Sequence, residues 1–131
     1  MKTNKITFIL IFIVTFIIMG SIIFLGKNNV SNSQDENNVN IVNGKQIIII
    51  KAKGGYSPRV TKAKADIPTV IKMVTNGSFD CSSAVSIPSL NYRNNLPQSG
   101  ETLIDVLPQK AGTKMQGLCA MGMYNFSIEF N

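Results

Sequence analysis

From Gln46 to the C-terminus, apolar residues fall in short stretches rich in Ile, Val and Thr, punctuated by Gly, Pro or Asn, and no 3.6-residue period is sustained. β-Branched residues suit a pleated, half-buried surface, and Gly, Pro and Asn supply the turns between strands. The pattern predicts an all-β domain. Strands are expected over residues 46–52, 59–63, 69–75, 83–87, 102–107 and 124–130. Turns are expected at Gly54-Gly55, Tyr56-Ser57-Pro58 and Asn76-Gly77, from Asn94-Asn95 to Gly100, and from Gln109 to Gly112. Short strands at this spacing imply a two-sheet sandwich.

Ahead of that domain stands a segment of another kind. Residues 6–25 carry no charge and are rich in Ile and Phe, with Lys2 and Lys5 before them and Lys27 after. About 20 apolar residues suffice to cross the hydrocarbon core of a bilayer. A signal peptide would show a shorter apolar core, about 7–15 residues, and a small-residue cleavage site. Neither is present, so residues 1–26 are expected to be an uncleaved single-pass anchor, with the tail inside and the domain on the extracytoplasmic side. Residues 27–43 are rich in Asn, Ser and Gln and poor in apolar groups, which predicts a flexible tether. Residues 44–131 then form one domain, large enough for a single core and too small for two.

The chain carries a net charge of +6. Lys51 and Lys53, and Lys62 and Lys64, sit in pairs on one face of an extended strand, which fits solvated strand faces or attraction to an acidic surface. Nucleic acid is not expected as a partner, because no basic cluster is interleaved with stacking aromatics. No histidine, Gly-x-Ser-x-Gly, suggestively spaced carboxylate pair or phosphate-binding glycine loop is present, so the protein is not expected to be an enzyme.

Chemistry concentrates in sulfur. Cys119-Ala120-Met121-Gly122-Met123 places three sulfur donors in five residues, with Cys81 upstream and no histidine in the chain. Thiolate and thioether favour the soft Cu(I) ion, whereas imidazole suits Zn(II) and Cu(II), and carboxylates suit harder ions. A structural zinc site would show more cysteines or a histidine. Along residues 124–130 the even positions Tyr124, Phe126, Ile128 and Phe130 are apolar and the odd ones polar, so the even face is the core face. Extended backwards, that parity puts Met121 and Met123 off the core. Cys81 shares parity with Ser83, Val85 and Ile87, so its thiol leans inward at a strand end, and the two cysteines are expected to meet at one pole. Met115 reads as a core residue or an outer ligand, and Met73 as core.

The stretches Gly55-Tyr56-Ser57-Pro58, Asp80-Cys81-Ser82-Ser83 through Leu90, Gly112-Thr113 and Cys119-Ala120-Met121-Gly122-Met123-Tyr124 resemble the cupredoxin-like domains of bacterial copper resistance. They are similar in particular to the membrane-anchored Cu(I) chaperones of the CupA type and to domains attached to copper-exporting P-type ATPases. The resemblance covers residues 44–130 and implies a cupredoxin-like Greek-key sandwich adapted to Cu(I). It also implies that Cys81, Cys119, Met121 and Met123 are the ligands. The cysteines would be the high-affinity pair, able to bridge two ions, and the methionines would complete a weaker position. Cargo would be one or two Cu(I) ions, passed by a monomer at the cell membrane to a copper-transporting P-type ATPase. Some relatives carry a histidine after the aromatic residue, where Asn125 stands here.

A disulfide between Cys81 and Cys119 is the rival reading, making the domain a disulfide-stabilised extracytoplasmic interaction module without metal. An immunoglobulin-like version would bring a core tryptophan and a tyrosine two residues before the second cysteine; tryptophan is absent and Gly117 occupies that position.

Overall fold

The computed structural model describes residues 38–131. The predicted anchor and residues 27–37 of the predicted tether lie outside the described residues. Among the described residues, no helix is long and apolar enough to cross a membrane.

The described domain is all-β. Its strands are β1 (Val39–Val42), β2 (Lys45–Ala52), β3 (Tyr56–Ser57), β4 (Val60–Ala63), β5 (Thr69–Asn76), β6 (Ala84–Ile87), β7 (Tyr92–Asn95), β8 (Ser99–Val106), β9 (Lys114–Cys119) and β10 (Asn125–Phe130). Short 3-10 turns occupy Cys81–Ser83 and Pro88–Leu90. One sheet has the order β1-β2-β5-β8, with β3 paired to β2, and the other runs β4-β10-β9-β6-β7. Both are mixed: β2 pairs with β5, and β10 with β4, in parallel, while the remaining pairs are antiparallel.

Alternation along the strands builds the core. On β2, Gln46, Ile48, Ile50 and Ala52 face inward, and on β10 Phe126, Ile128 and Phe130 do the same. These side chains join Ile71 and Met73 of β5, Val85 and Ile87 of β6 and Met115 of β9 in one cluster shared by both sheets. Complete burial of one Ile or Phe contributes roughly 1.5–3 kcal/mol, so the shared layer is the main stabilising element. The buried Gln46 is paired: its amide donates to Thr69 Oγ1 at 3.0 Å and accepts from the Lys64 N–H at 2.8 Å.

Four strands depart from the sequence expectation, the first being β3, which takes in Tyr56 and Ser57 where a turn was expected and pairs with β2. β1 falls in the segment assigned to the tether, and pairs with β2 across Asn43-Gly44. Those two residues have φ of 50° and 76°. Such positive values suit the tight two-residue hairpin turn that an Asn-Gly pair favours. β7 takes in Asn94 and Asn95, which were expected in a turn, and β9 fills a stretch where no strand was expected. β9 matters most, because Cys119 is its last residue.

Candidate metal centre

Cys119 ends β9 and the chain reverses through residues 120–124 into β10. The Cys119 N–H donates to the Tyr124 carbonyl at 3.0 Å and the Gly122 N–H to the Cys119 carbonyl at 2.8 Å. Gly122 takes φ of 70°, which glycine accepts without a Cβ penalty. The register of β9 on β6 sets Cys119 opposite Val85, and the Ala120 N–H donates to the Ala84 carbonyl at 2.9 Å. The start of β6 directly follows the 3-10 turn that carries Cys81. Topology thus brings the two cysteines, far apart in sequence, to one end of the sandwich.

Asp80 fixes the Cys81 loop. Its Oδ1 accepts from the Ser82 N–H at 2.7 Å and the Ser82 hydroxyl at 2.5 Å, capping the turn, and its Oδ2 accepts from the Gly54 N–H at 2.8 Å. These bonds stabilise the ionised carboxylate, led by the one from the Ser82 hydroxyl, and hold its pKa below the ordinary value of 3.8. Sequence reading missed this role, although Asp-x-Ser at the start of a turn is a recognisable capping pattern. The β2–β3 connection and the Cys81 loop are thereby joined.

The Cys81 and Cys119 sulfurs lie 2.6 Å apart, and both cysteines are free. Their settings differ: Cys119 is 2% exposed, while Cys81 is partly exposed. Burial pushes the Cys119 thiol up, but bonds from Cys81 and from the backbone N–H groups of Tyr124, Met121 and Met123 outweigh it, leaving its pKa lowered. The Tyr124 N–H reaches Sγ at 3.3 Å. The Cys81 thiol is raised, first by its bond to Cys119, then by burial and the nearby charges of Cys119 and Asp80, against a lowering from the Met121 N–H. Backbone donors gathered on Cys119 stabilise a thiolate, the form that ligates metal.

Met121 and Met123 are 76% and 63% exposed. They leave the core as the parity argument expected, but in a turn rather than on a continued strand. Met115 is 1% exposed and belongs to the core cluster. The structure therefore brings Cys81 and Cys119 together and places Met121 and Met123 on the solvent side of the same turn. A cleft of about 420 Å³ opens beside Met123, lined also by Lys53, Tyr56, Arg59, Tyr124 and Asn125. Among the described residues there is no cluster of three or more His, Cys, Asp or Glu. The donor set at this pole is sulfur, suited to a soft monovalent ion rather than to Mg(II), Ca(II) or a typical zinc site.

What fold and site define is a small β-sandwich with a paired-thiol pole. Comparison with known proteins agrees with the fold. The metal-binding domain of the Cu(I)-exporting P-type ATPase CopA of Streptococcus pneumoniae D39, solved with Cu(I), is similar with a TM-score of 0.62 and 24% identity, over 71% of this chain and 92% of that domain. A copper-binding protein solved by NMR in the apo form is similar with a TM-score of 0.64 and 24% identity, over 71% of this chain and 94% of that one. At this identity the likeness shows a shared fold. No protein-family model matches the sequence, and no curated protein does.

Proposed function

We propose that this chain is a membrane-tethered Cu(I)-binding protein with a cupredoxin-like domain. It takes up Cu(I) on Cys81 and Cys119, exchanges it through Met121 and Met123, and delivers it to a copper-exporting P-type ATPase. The observation that carries this reading is the paired thiols, with backbone N–H groups on Cys119, beside an exposed Met-x-Met turn in a chain that has no histidine. Cu(I) binding displaces the thiol protons and leaves a charged thiolate–copper group, which those N–H donors stabilise. Thioethers are neutral and weaker ligands, so exposed methionines suit a transfer position. Similarity to a domain of a Cu(I)-exporting ATPase supports both the cargo and the partner. The apolar segment 6–25 supports the anchor, and one or two ions match the four sulfur donors.

Anaerobic titration of the reduced protein with Cu(I) against a chromophoric competitor tests the reading. Tight binding of one or two ions is expected, abolished in the Cys81→Ser, Cys119→Ser double variant. Unchanged binding in that variant would overturn the assignment. The thiols' proximity also favours a second reading, a disulfide-held interaction module; that reading predicts no copper competition and a mass gain on alkylation only after reduction.

A further inference from the structure

Tyr56 is 5% exposed, and its buried hydroxyl has no hydrogen-bond partner among the described residues. A buried hydroxyl that has left water without a new partner is a net cost, so its retention calls for a reason. The ring is held in place. Its edge meets Phe126 with centroids 5.0 Å apart and planes at 72°, and its backbone pairs with Ala52 in β2. Directly before it, Gly55 lies so close to the Tyr124 ring that a Cβ there would sit 3.5 Å from Cδ1.

Its neighbours are the supports of the thiol pair. Phe126 pairs with Gly117, two residues before Cys119, and Tyr124 gives its N–H to the Cys119 sulfur. Gly54 gives its N–H to Asp80, next to Cys81. Beyond the effect of burial, the charges of Cys119, Cys81 and Asp80 all act on this hydroxyl and keep it protonated. Two other buried atoms lack partners among the described residues, Asn38 Oδ1 and the Tyr92 hydroxyl. Tyr92 pairs with Ile87, at the end of β6 remote from Cys81.

A protonated thiol is a weak acceptor, but two thiolates and one Cu(I) carry a net charge of −1, and charged sulfur is a far better acceptor. The reaction is Cu(I) plus two thiols giving the dithiolate–copper anion and two protons. We propose that Tyr56 is a positioning residue of the loaded site, its hydroxyl donating a hydrogen bond to the thiolate pair once Cu(I) has displaced the thiol protons. This inference rests on the Cu(I) reading above.

The test uses the full chain in detergent, wild type and Tyr56→Phe, with Cu(I) competition, thermal unfolding of the reduced apo protein and the near-ultraviolet difference spectrum on Cu(I) addition. The chain has no tryptophan, so tyrosine bands are not masked by indole. Tyr56→Phe is expected to leave apo stability unchanged or raised while lowering Cu(I) affinity about tenfold, the size of one hydrogen bond to a charged group. Wild type should show a tyrosine band shift on loading that survives in Tyr92→Phe and Tyr124→Phe and is lost in Tyr56→Phe. Equal affinity of wild type and Tyr56→Phe, with the shift absent or unaltered, would overturn the inference and leave the Cu(I) reading standing. Failure of wild type to bind Cu(I) would overturn both. Should Tyr56→Phe not fold, the shift in the other two tyrosine variants still decides.

Discussion

Cys81 and Cys119 shift in opposite directions, Cys81 chiefly through its hydrogen bond to Cys119 and Cys119 because that bond and its backbone N–H donors outweigh burial, and this has a consequence for stability. Cys119 has a lowered pKa in the folded domain. Between that value and the ordinary thiol value of 9.0, the folded state has lost a proton that the unfolded chain keeps, so stability rises with pH and is fully gained above 9.0. Cys81 is raised, so above 9.0 the folded state keeps a proton that the unfolded chain has lost, and stability falls as pH climbs through its folded pKa. Tyr56, raised chiefly by burial, adds to the fall. Thermal unfolding of the reduced apo protein should therefore show a rising limb below 9.0, absent from Cys119→Ser, and a falling limb above it that shrinks in Cys119→Ser, because the variant removes the main cause of the Cys81 shift and leaves chiefly the Tyr56 part. The methionines call for a different experiment. Because Met121 and Met123 are exposed, Met121→Leu with Met123→Leu should change unfolding free energy by no more than about 0.5 kcal/mol. On the proposed reading, in which the methionines complete a weaker Cu(I) position, the same pair of changes should weaken that position about tenfold or more in competition titration, because soft donors are replaced by alkyl groups.

At the level of strands and turns, β9 and the reversal after it decide where the sulfurs lie. A Cβ on Gly117 would fall inside the space of the Phe126 ring, which is itself buried in the core. Gly117→Ala is therefore expected to cost about 3 kcal/mol through displacement of that ring, and to weaken Cu(I) binding because Cys119 is two residues away. Gly122→Ala meets no atom within 4 Å and is disfavoured only by its φ of 70°, so a loss nearer 1 kcal/mol is expected. Denaturant midpoints of the two variants measure the contrast. Gly117 also explains why β9 was illegible in the sequence. Its inward positions are Met115, Gly117 and Cys119, none β-branched, so the stretch has a strand's alternation without a strand's composition. β7, Tyr-Arg-Asn-Asn, is a polar edge strand and carries almost no pattern. β1 was hidden by the polar chain before it, although Asn43-Gly44 between two apolar runs was a hairpin signal in plain view. Legible from the start were β10, whose Phe and Ile alternate with polar residues, β2 and β5, whose short runs are rich in Ile and Val, and the meeting of Cys81 with Cys119 at one pole. Tyr56 and Asp80 were not legible as parts of the site, because one acts through a buried hydroxyl and the other through backbone donors from distant loops.

The pole exists only when the whole sandwich is folded, because it draws on Gly54, on residues 80–82 and on residues 119–124, and only the packing of both sheets brings these together. In the unfolded chain the two thiols are separated by a flexible loop whose closure is entropically unfavourable, and the backbone donors on Cys119 are lost to water. On the proposed reading, Cu(I) bound at this pole favours the folded state and stabilises it by mass action. With free Cu(I) buffered at about 100 times Kd, the gain is about 2.7 kcal/mol when binding to the unfolded chain is negligible. A domain of this size shifts its Tm by about 4–8 °C per kcal/mol, so a rise of roughly 10–20 °C is expected. Residual affinity of the unfolded thiols for Cu(I) lowers that figure, and the shortfall measures how much of the site's affinity comes from the fold rather than from the sulfurs alone. A disulfide would also raise Tm, by constraining the unfolded chain, so the measurement is made under a thiol-free reductant that keeps both cysteines reduced. In that setting a rise in wild type with none in the Cys81→Ser, Cys119→Ser variant ties copper binding to the folded pole. An equal rise in both would move the copper to other residues and remove the thiol pair from the function.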